Sequence, residues 1–293
     1  MRGILRLPGL AIALLVVLGP VANRAAAAPG GGATPPDYPQ IGLPDQAAAR
    51  VLLDQFRQAG FAAGAYFLEF DLRQMPRRGD VQVFHGRLWG GRNDDGMIMR
   101  ISLRDGAGRE HRLLVQNGPQ AAAWSEVAGR AEAMGEAAML DPLVGGVELT
   151  AFDLQMPYLF WPDTRITALN RVRGRPAYAF LFRPPAAFAA AHPGLTAVRA
   201  YLDTEFDRPL QIELIGRNGG VLKTLSIVDL KKIGGQWMLK EFDVRNEVTR
   251  DKTRFSLTAV ALGLDFGPAL LSPGHLAEDA AEPPGGQITA IGP

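Results

Sequence analysis

Hydrophobic and polar positions change period several times along this chain. Over residues 44–59, PDQAAARVLLDQFRQA, the apolar residues Ala48, Val51, Leu52, Phe56 and Ala59 recur every three or four positions. That is the spacing of a helix with one apolar stripe, which needs a larger body to lie against. Pro44 suits a first turn, Asp45 the positive N-terminal end, and Gly60 a C-cap, so one helix is predicted over 44–59. From residue 65 the period drops to two. In AYFLEFDL, Tyr66, Leu68, Phe70 and Leu72 are apolar, whereas Glu69 and Asp71 are not, the mark of a strand with unlike faces. VQVFHGRLWGG, GMIMRISLRD and HRLLVQNG continue as strands, the second setting Met97, Met99, Ile101 and Leu103 against Arg100, Ser102 and Arg104.

Residues 119–140 are rich in alanine and read as partly helical, although Gly129 and Gly135 interrupt them. RPAYAFLFRPP returns to alternation with Tyr178, Phe180 and Phe182, and AAFAAAHPG adds one or two helical turns stopped by Pro193. Five strand-like segments follow: VRAYLDT, LQIELIG, VLKTLSIVDLKK, GQWMLKEFDVRNEV and KTRFSLTAVALG. Short turns separate them, among them Asn218-Gly219, a strong hairpin signal. Sequential strands with tight turns make an antiparallel meander. No βαβ rhythm is visible, so the expected class is mainly β with helices (α+β), built on a large curved antiparallel sheet.

The ends read differently. Arg2 and Arg6 precede the apolar run Leu10–Leu18, and Ala25-Ala26-Ala27 supplies small residues for cleavage, the pattern of a secretory signal peptide over 1–27. The apolar run is shorter than the ~20 residues that span a bilayer. Residues 28–43 read as a Gly/Pro-rich linker, 44–266 as one domain, and 267–293 as a loosely ordered tail. The chain has no cysteine, which excludes disulfides, thiol nucleophiles and the lipid-modified cysteine of an anchored lipoprotein. The 31 basic and 30 acidic residues balance to +1, so no strong field favours nucleic acid.

Catalytic motifs are scarce. There is no G-x-S-x-G elbow, H-E-x-x-H zinc motif, P-loop or EF-hand loop. His85, His111, His192 and His275 are scattered without ligand spacing. Glu69 with Asp71, and Glu241 with Asp243, share strand faces but read as solvated surface. Asn93, Asp94 and Asp95 read as a polar hairpin turn ending in Gly96 rather than a metal loop. Arg171, Arg173 and Arg175 suit either phosphate contacts or an exposed strand face. No cofactor or metal is expected.

The prominent features are apolar. Tyr66, Leu68, Phe70, Phe84, Leu88, Met97, Met99, Tyr178, Phe180 and Phe182 sit at alternating strand positions. They form either a packed core or the lining of a cavity for an apolar ligand. AFDLQMPYLFWPD, residues 151–163, concentrates Phe152, Leu154, Met156, Tyr158, Leu159, Phe160 and Trp161 between prolines that forbid a long helix. Prolines and apolar residues together also occur in packed crossovers, so a buried connection is one reading of it.

Several of these segments together resemble the LolA-like outer-membrane lipoprotein-sorting proteins, in a divergent branch. The resemblance rests on the amphipathic helix, GRLWGGR at Gly86–Arg92, the strand ending VQNG, and YLDTEFDRPLQIELIGRNGGVLKTLSIVDLKKIGGQWMLKEFDVRN, and spans about residues 45–262. It implies a curved, incompletely closed antiparallel β-barrel covered by helices around an apolar cavity that accepts lipoprotein acyl chains or another lipid. The ten lining residues above and Trp89 become cavity candidates. Arg92, Phe152, Leu154, Met156, Tyr158, Phe160 and Trp161 become lid or mouth candidates. One departure concerns Arg92: the family's arginine is usually followed by proline, and here Asn93 follows. The resemblance further implies a monomeric periplasmic carrier rather than an enzyme. Its partners would be an inner-membrane transporter and an outer-membrane acceptor. A LolA-like periplasmic sensor is the alternative, and a secreted hydrolase a remote one.

Overall fold

The computed structural model of the protein describes residues 38–58, 64–206 and 208–292. The expected signal peptide, most of the expected linker, and the helix-ending Ala59 and Gly60 lie outside the described residues. The period-two segments form strands: β1 (Gln40–Gly42), β2 (Ala65–Met75), β3 (Gln82–Asn93), β4 (Gly96–Arg104), β5 (Glu110–Gln116), β6 (Ala122–Val127) and β7 (Arg130–Ala133). A second series comprises β8 (Asp163–Val172), β9 (Arg175–Arg183), β10 (Leu195–Asp203), β11 (Pro209–Gly216), β12 (Val221–Ile233), β13 (Gln236–Asn246), β14 (Lys252–Leu264) and β15 (Thr289–Ala290). The α-helices among the described residues are α1 (Gln46–Gln58), α2 (Ala151–Gln155) and α3 (Ala186–Ala191).

All the strands join one antiparallel sheet, in the order β1-β8-β9-β10-β11-β12-β13-β14-β2-β3-β4-β5-β6-β7, with β15 added alongside β14. Two local meanders, β8–β14 and β2–β7, are thus fused by one long-range pairing. There Leu257 of β14 lies opposite Phe70 of β2, and Val260 opposite Leu68. The sheet is curved and does not close; β1 and the four-residue β7 are its free edges. The class is mainly β with helices, as the alternation predicts.

Two local expectations change. Residues 119–140 hold the β6–β7 hairpin and only a single 3₁₀ turn at Glu136–Ala138, not a helix. Ala128 and Gly129, with φ of 50° and 80°, make the left-handed turn that a two-residue hairpin requires. Pairing of β6 with β5 outweighs the helix preference of alanine. In α1 the buried face is Ala49, Leu52, Leu53 and Phe56, while Val51 stands 57% exposed. Both stripes satisfy three- and four-residue spacing, and contact with the sheet selects between them. Asp45 starts the helix as expected, its Oδ1 accepting from the N–H groups of Ala47 and Ala48 at 2.9 and 3.0 Å.

The glycines of GRLWGG have a packing reason. Tyr66 lies opposite Gly90 and Phe70 opposite Gly86 across the β2–β3 ladder. A Cβ built on Gly90 would stand 2.0 Å from Cζ of Tyr66, and one on Gly86 2.3 Å from Cζ of Phe70. Each aromatic ring therefore occupies the space over a bare stretch of the neighbouring strand, which lets the concave face carry a large ring on either side of Leu68.

The C-terminal segment is not loosely ordered but strapped across the convex face. Phe266, Leu270, Leu271 and Ile288 pack on Phe67, Trp89 and Ala261. Leu276 is fully buried on Ile98 and Leu114. Arg100, only 2% exposed, ties the strap down by donating to the carbonyls of Leu270, His275 and Leu276 at 3.3, 3.0 and 3.1 Å, and to that of Glu278. Outward-facing apolar residues of β2–β5 explain the arrangement: they offer a second hydrophobic face that water would otherwise wet.

Candidate functional site

The concave face of the sheet holds one continuous apolar cluster. Tyr66, Leu68, Phe70, Phe84, Leu88, Met97, Met99, Phe180 and Phe182 all belong to it and are buried, and Tyr178 packs against its edge. The structure therefore brings together ten of the eleven lining candidates. Trp89 is the exception. It points to the convex face, where it packs at a tilt against Phe67 with ring centroids 5.3 Å apart and donates its indole N–H to the carbonyl of Ala281 at 2.9 Å. Consecutive strand residues face opposite ways, so Leu88 and Trp89 cannot share one lining.

Over this lining lies the segment 150–162. Thr150 and Asp153 form a reciprocal capping box that starts α2: Thr150 N–H donates to Oδ2 of Asp153 at 2.9 Å, and Asp153 N–H donates to Oγ1 of Thr150 at 3.3 Å. After five residues Met156 takes a left-handed conformation, with φ of 48°, and Pro157 opens a 3₁₀ turn through Phe160. The break in the helix lets both turns direct apolar side chains downward. Phe152, Leu154, Met156, Tyr158, Leu159 and Trp161 are all buried in the same cluster as the lining, with Phe160 partly buried beside them.

Aromatic contacts dominate the junction. Phe152 lies 5.2 Å from Phe188 of α3 and 5.7 Å from Tyr158, and Tyr158 lies 5.5 Å from Phe182 of β9, all between ring centroids. Such pairs each add about 0.5–1.5 kcal/mol beyond simple burial. Burial pushes the Tyr158 phenol well above its ordinary value, an effect the nearby Asp153 carboxylate reinforces, and burial raises that of Tyr66 as well. Burial therefore keeps both of these phenols neutral.

Polar contacts holding the segment to the sheet are few and specific. Lys223 of β12 reaches Oδ2 of Asp153 at 2.7 Å, with side chains 12% and 3% exposed. Asn117 donates to the carbonyl of Leu154 at 3.4 Å, and Gln155 to that of Gln116 at 3.2 Å. From α1, Arg57 Nε donates to the carbonyl of Leu159 at 2.6 Å, and its guanidinium stands 5.8 Å from the Phe160 ring centroid. The lid segment is thus fastened at both ends by side chains from separate elements.

Arg92, expected at the lid, is exposed and stands at the rim of a cleft of about 340 Å³ shared with Asp94, Asn117 and Phe160. The arginine that bonds a carbonyl of the lid is Arg57. A second and larger cleft, about 660 Å³, opens between α1 and residues 160–166. Neither Asp153, Lys223, Arg57, Asn117 nor Phe188 was singled out by sequence reasoning. The Thr150-x-x-Asp153 spacing carried a readable cap signal, whereas the others become partners only through tertiary folding.

Several of the polar groups weighed for chemistry are engaged with other protein groups. Asp71 meets His85 at 2.7 Å, and Glu241 and Asp243 bond Arg254 at 3.4 and 2.7 Å. Asn93 closes its hairpin by accepting from the N–H groups of Asp95 and Gly96, both at 3.1 Å. Arg175 pairs with Asp203 and Glu205, while Arg171 and Arg173 are exposed. Among the described residues no group of three or more His, Asp or Glu residues is placed to hold a metal ion.

Comparison with known proteins rests on structure. No family model matches the sequence, and no curated protein does. Among solved structures, a domain named for outer-membrane lipoprotein sorting from Vibrio parahaemolyticus superposes with a TM-score of 0.66 at 15% identity, covering 79% of this chain and 97% of that one. A DUF1329 family protein from Desulfovibrio piger gives 0.64 at 13% identity, covering 80% of this chain and 100% of that one. A LolA superfamily protein from Nitrosomonas europaea gives 0.58 at 11%, covering 76% and 97%. The fold is therefore LolA-like.

Proposed function

We propose that the protein is a soluble periplasmic carrier. It binds acyl chains of lipoproteins, or of another lipid, beneath the 150–162 segment and delivers them toward the outer membrane. The observation that carries this reading is the construction of the lid. A sheet with an apolar concave face is covered there by a short segment, broken at Met156–Pro157, whose polar fastening is a handful of side-chain contacts. A cover built only for stability would gain from continuous helix.

Energetics favour exchange. Moving an acyl chain from water into an apolar interior gains about 0.8 kcal/mol per CH₂, so a sixteen-carbon chain gains on the order of 12 kcal/mol. Hydrogen bonds of the kind fastening the lid contribute about 0.5–1.5 kcal/mol each, with charge-assisted ones somewhat more. In the closed conformation the lid's own Phe152, Leu154, Met156 and Tyr158 fill the space, so the empty carrier exposes no wet cavity and the ligand replaces those contacts on entry. The lining candidates other than Trp89 are the acyl-contacting surface in this reading. An inner-membrane donor and an outer-membrane acceptor are its partners.

Native mass spectrometry of the mature protein purified from a periplasmic extract, before and after mild organic extraction, tests the proposal. A bound lipid or acylated peptide that is lost on extraction supports it. A clean apo mass, together with no uptake of an added diacylglyceryl peptide, overturns it and leaves the LolA-like sensor reading.

A further inference from the structure

The 660 Å³ cleft differs in character from the interior it adjoins. Three arginines line it, Arg50 and Arg57 from α1 and Arg165 from β8, against the single carboxylate of Asp54. Arg50 and Arg57 are seven residues apart, two helical turns, and so lie on one side of α1. Arg57 is paired with Asp54 at 3.1 Å and Arg165 with Asp163 at 3.3 Å, whereas Arg50 has no acidic partner among the described residues. Apolar side chains line the cleft between these polar ones, and two of them, Leu53 and Trp161, belong also to the core cluster behind it. Basic groups beside apolar side chains that back onto the core beneath the lid are complementary to an amphiphile with an anionic head.

We propose that this cleft holds the net-anionic phosphate head of a membrane amphiphile whose acyl chains pass beneath the lid. This rests on the carrier reading and adds a head-group class to it. Arg57 links the two compartments. The guanidinium that faces the cleft is the one whose Nε holds the Leu159 carbonyl of the lid. An anion arriving in the cleft competes for that guanidinium, because a charge-assisted bond to phosphate is stronger than one to a neutral carbonyl. Head-group binding therefore loosens the lid on the side where the chains must enter. An acidic peptide would satisfy the arginines but would leave Trp161 and its continuity with the interior unused.

The test incubates the full mature protein with vesicles of phosphatidylcholine, with or without phosphatidylglycerol, and counts lipid carried by the re-isolated protein using native mass spectrometry. The expected result is uptake of phosphatidylglycerol on the order of tenfold above phosphatidylcholine, the scale of two partly exposed charge-assisted contacts. In Arg50→Gln and Arg165→Gln, both exposed, this ratio falls toward one. Arg109→Gln, a 73% exposed arginine at the β4–β5 turn, controls for general attraction to charged vesicles and keeps the ratio. Equal uptake of the two lipids by the wild-type protein overturns the head-group assignment while leaving the carrier reading intact. No uptake of either lipid, combined with a clean apo mass, overturns both. Full competition by glycerol 3-phosphate or by an acidic peptide, with no dependence on the acyl chains, assigns the cleft to a free anion or a protein partner and overturns the amphiphile.

Discussion

Cutting the Lys223–Asp153 pair should unlatch the lid without unfolding the sheet. The two charges lie 2.7 Å apart with side chains only 12% and 3% exposed. At an effective dielectric of about 20 their gross attraction is about 6 kcal/mol, most of it offset by the desolvation of both ions. The net worth of the intact pair is therefore small, whereas an orphaned partner is costly. Asp153→Asn keeps an oxygen for the Thr150 cap but strands the ammonium, and should cost about 3 kcal/mol. Lys223→Met leaves a carboxylate still bonded by Thr150 through its N–H at 2.9 Å and its hydroxyl at 2.8 Å, so about 1–2 kcal/mol is expected. The double variant should recover at least about 1 kcal/mol of the summed losses, as contacting residues do. Urea unfolding gives the four stabilities, and hydrogen exchange across 151–160 against 198–202 shows where protection is lost. A coupling below about 0.5 kcal/mol, or equal loss of protection in the lid and in β10, would refute the latch.

Gly90→Ala and Gly86→Ala should each lower stability by about 1–3 kcal/mol, because the new methyl group meets the Tyr66 or Phe70 ring. Gly106→Ala, with open space around it, should be nearly neutral in the same thermal melts. Arg100→Met should free the C-terminal strap; limited proteolysis should then cleave after Leu264 several-fold faster, and unchanged protection would show that the apolar contacts suffice alone. For acid sensitivity, Asp243 is the informative group. Burial alone would raise its pKa, but the bonds from Arg254 and the charge of Lys252 hold it below the ordinary 3.8. Its contribution is present above 3.8 and lost as pH falls through the lower folded value. Asp243→Asn should flatten the stability profile in that acid range, and an unaltered slope would count against the linkage.

Much of the sheet was legible because strand alternation and turn chemistry are local. Asn218-Gly219 and the five segments around it become β10–β14 in sequence order, and neighbours in the chain remain neighbours in the sheet. The presence of α1 was equally plain, but its rotation was not, since the Ala48 and Ala49 stripes differ by a single position. The hairpin at β6–β7 escaped because alanine favours helix, and only an available edge on β5 overrules that preference. Trp89 was misplaced although its position was readable: it is adjacent to Leu88, and period two puts adjacent residues on opposite faces.

The site divides along the same line. By itself the sequence determined that a curved antiparallel sheet would present an unbroken series of large apolar side chains, and that the prolines and aromatic residues of 151–163 would break a helix nearby. Tertiary structure alone decided that β14 pairs with β2 to unite the two meanders, and that the broken segment closes over their joint concave face. It also chose the fasteners. Lys223 and Asp153 are seventy residues apart, and Arg57 and Leu159 more than a hundred. Periodicity reports which way a side chain faces within its own element, whereas a contact across such separations depends on how whole elements pack.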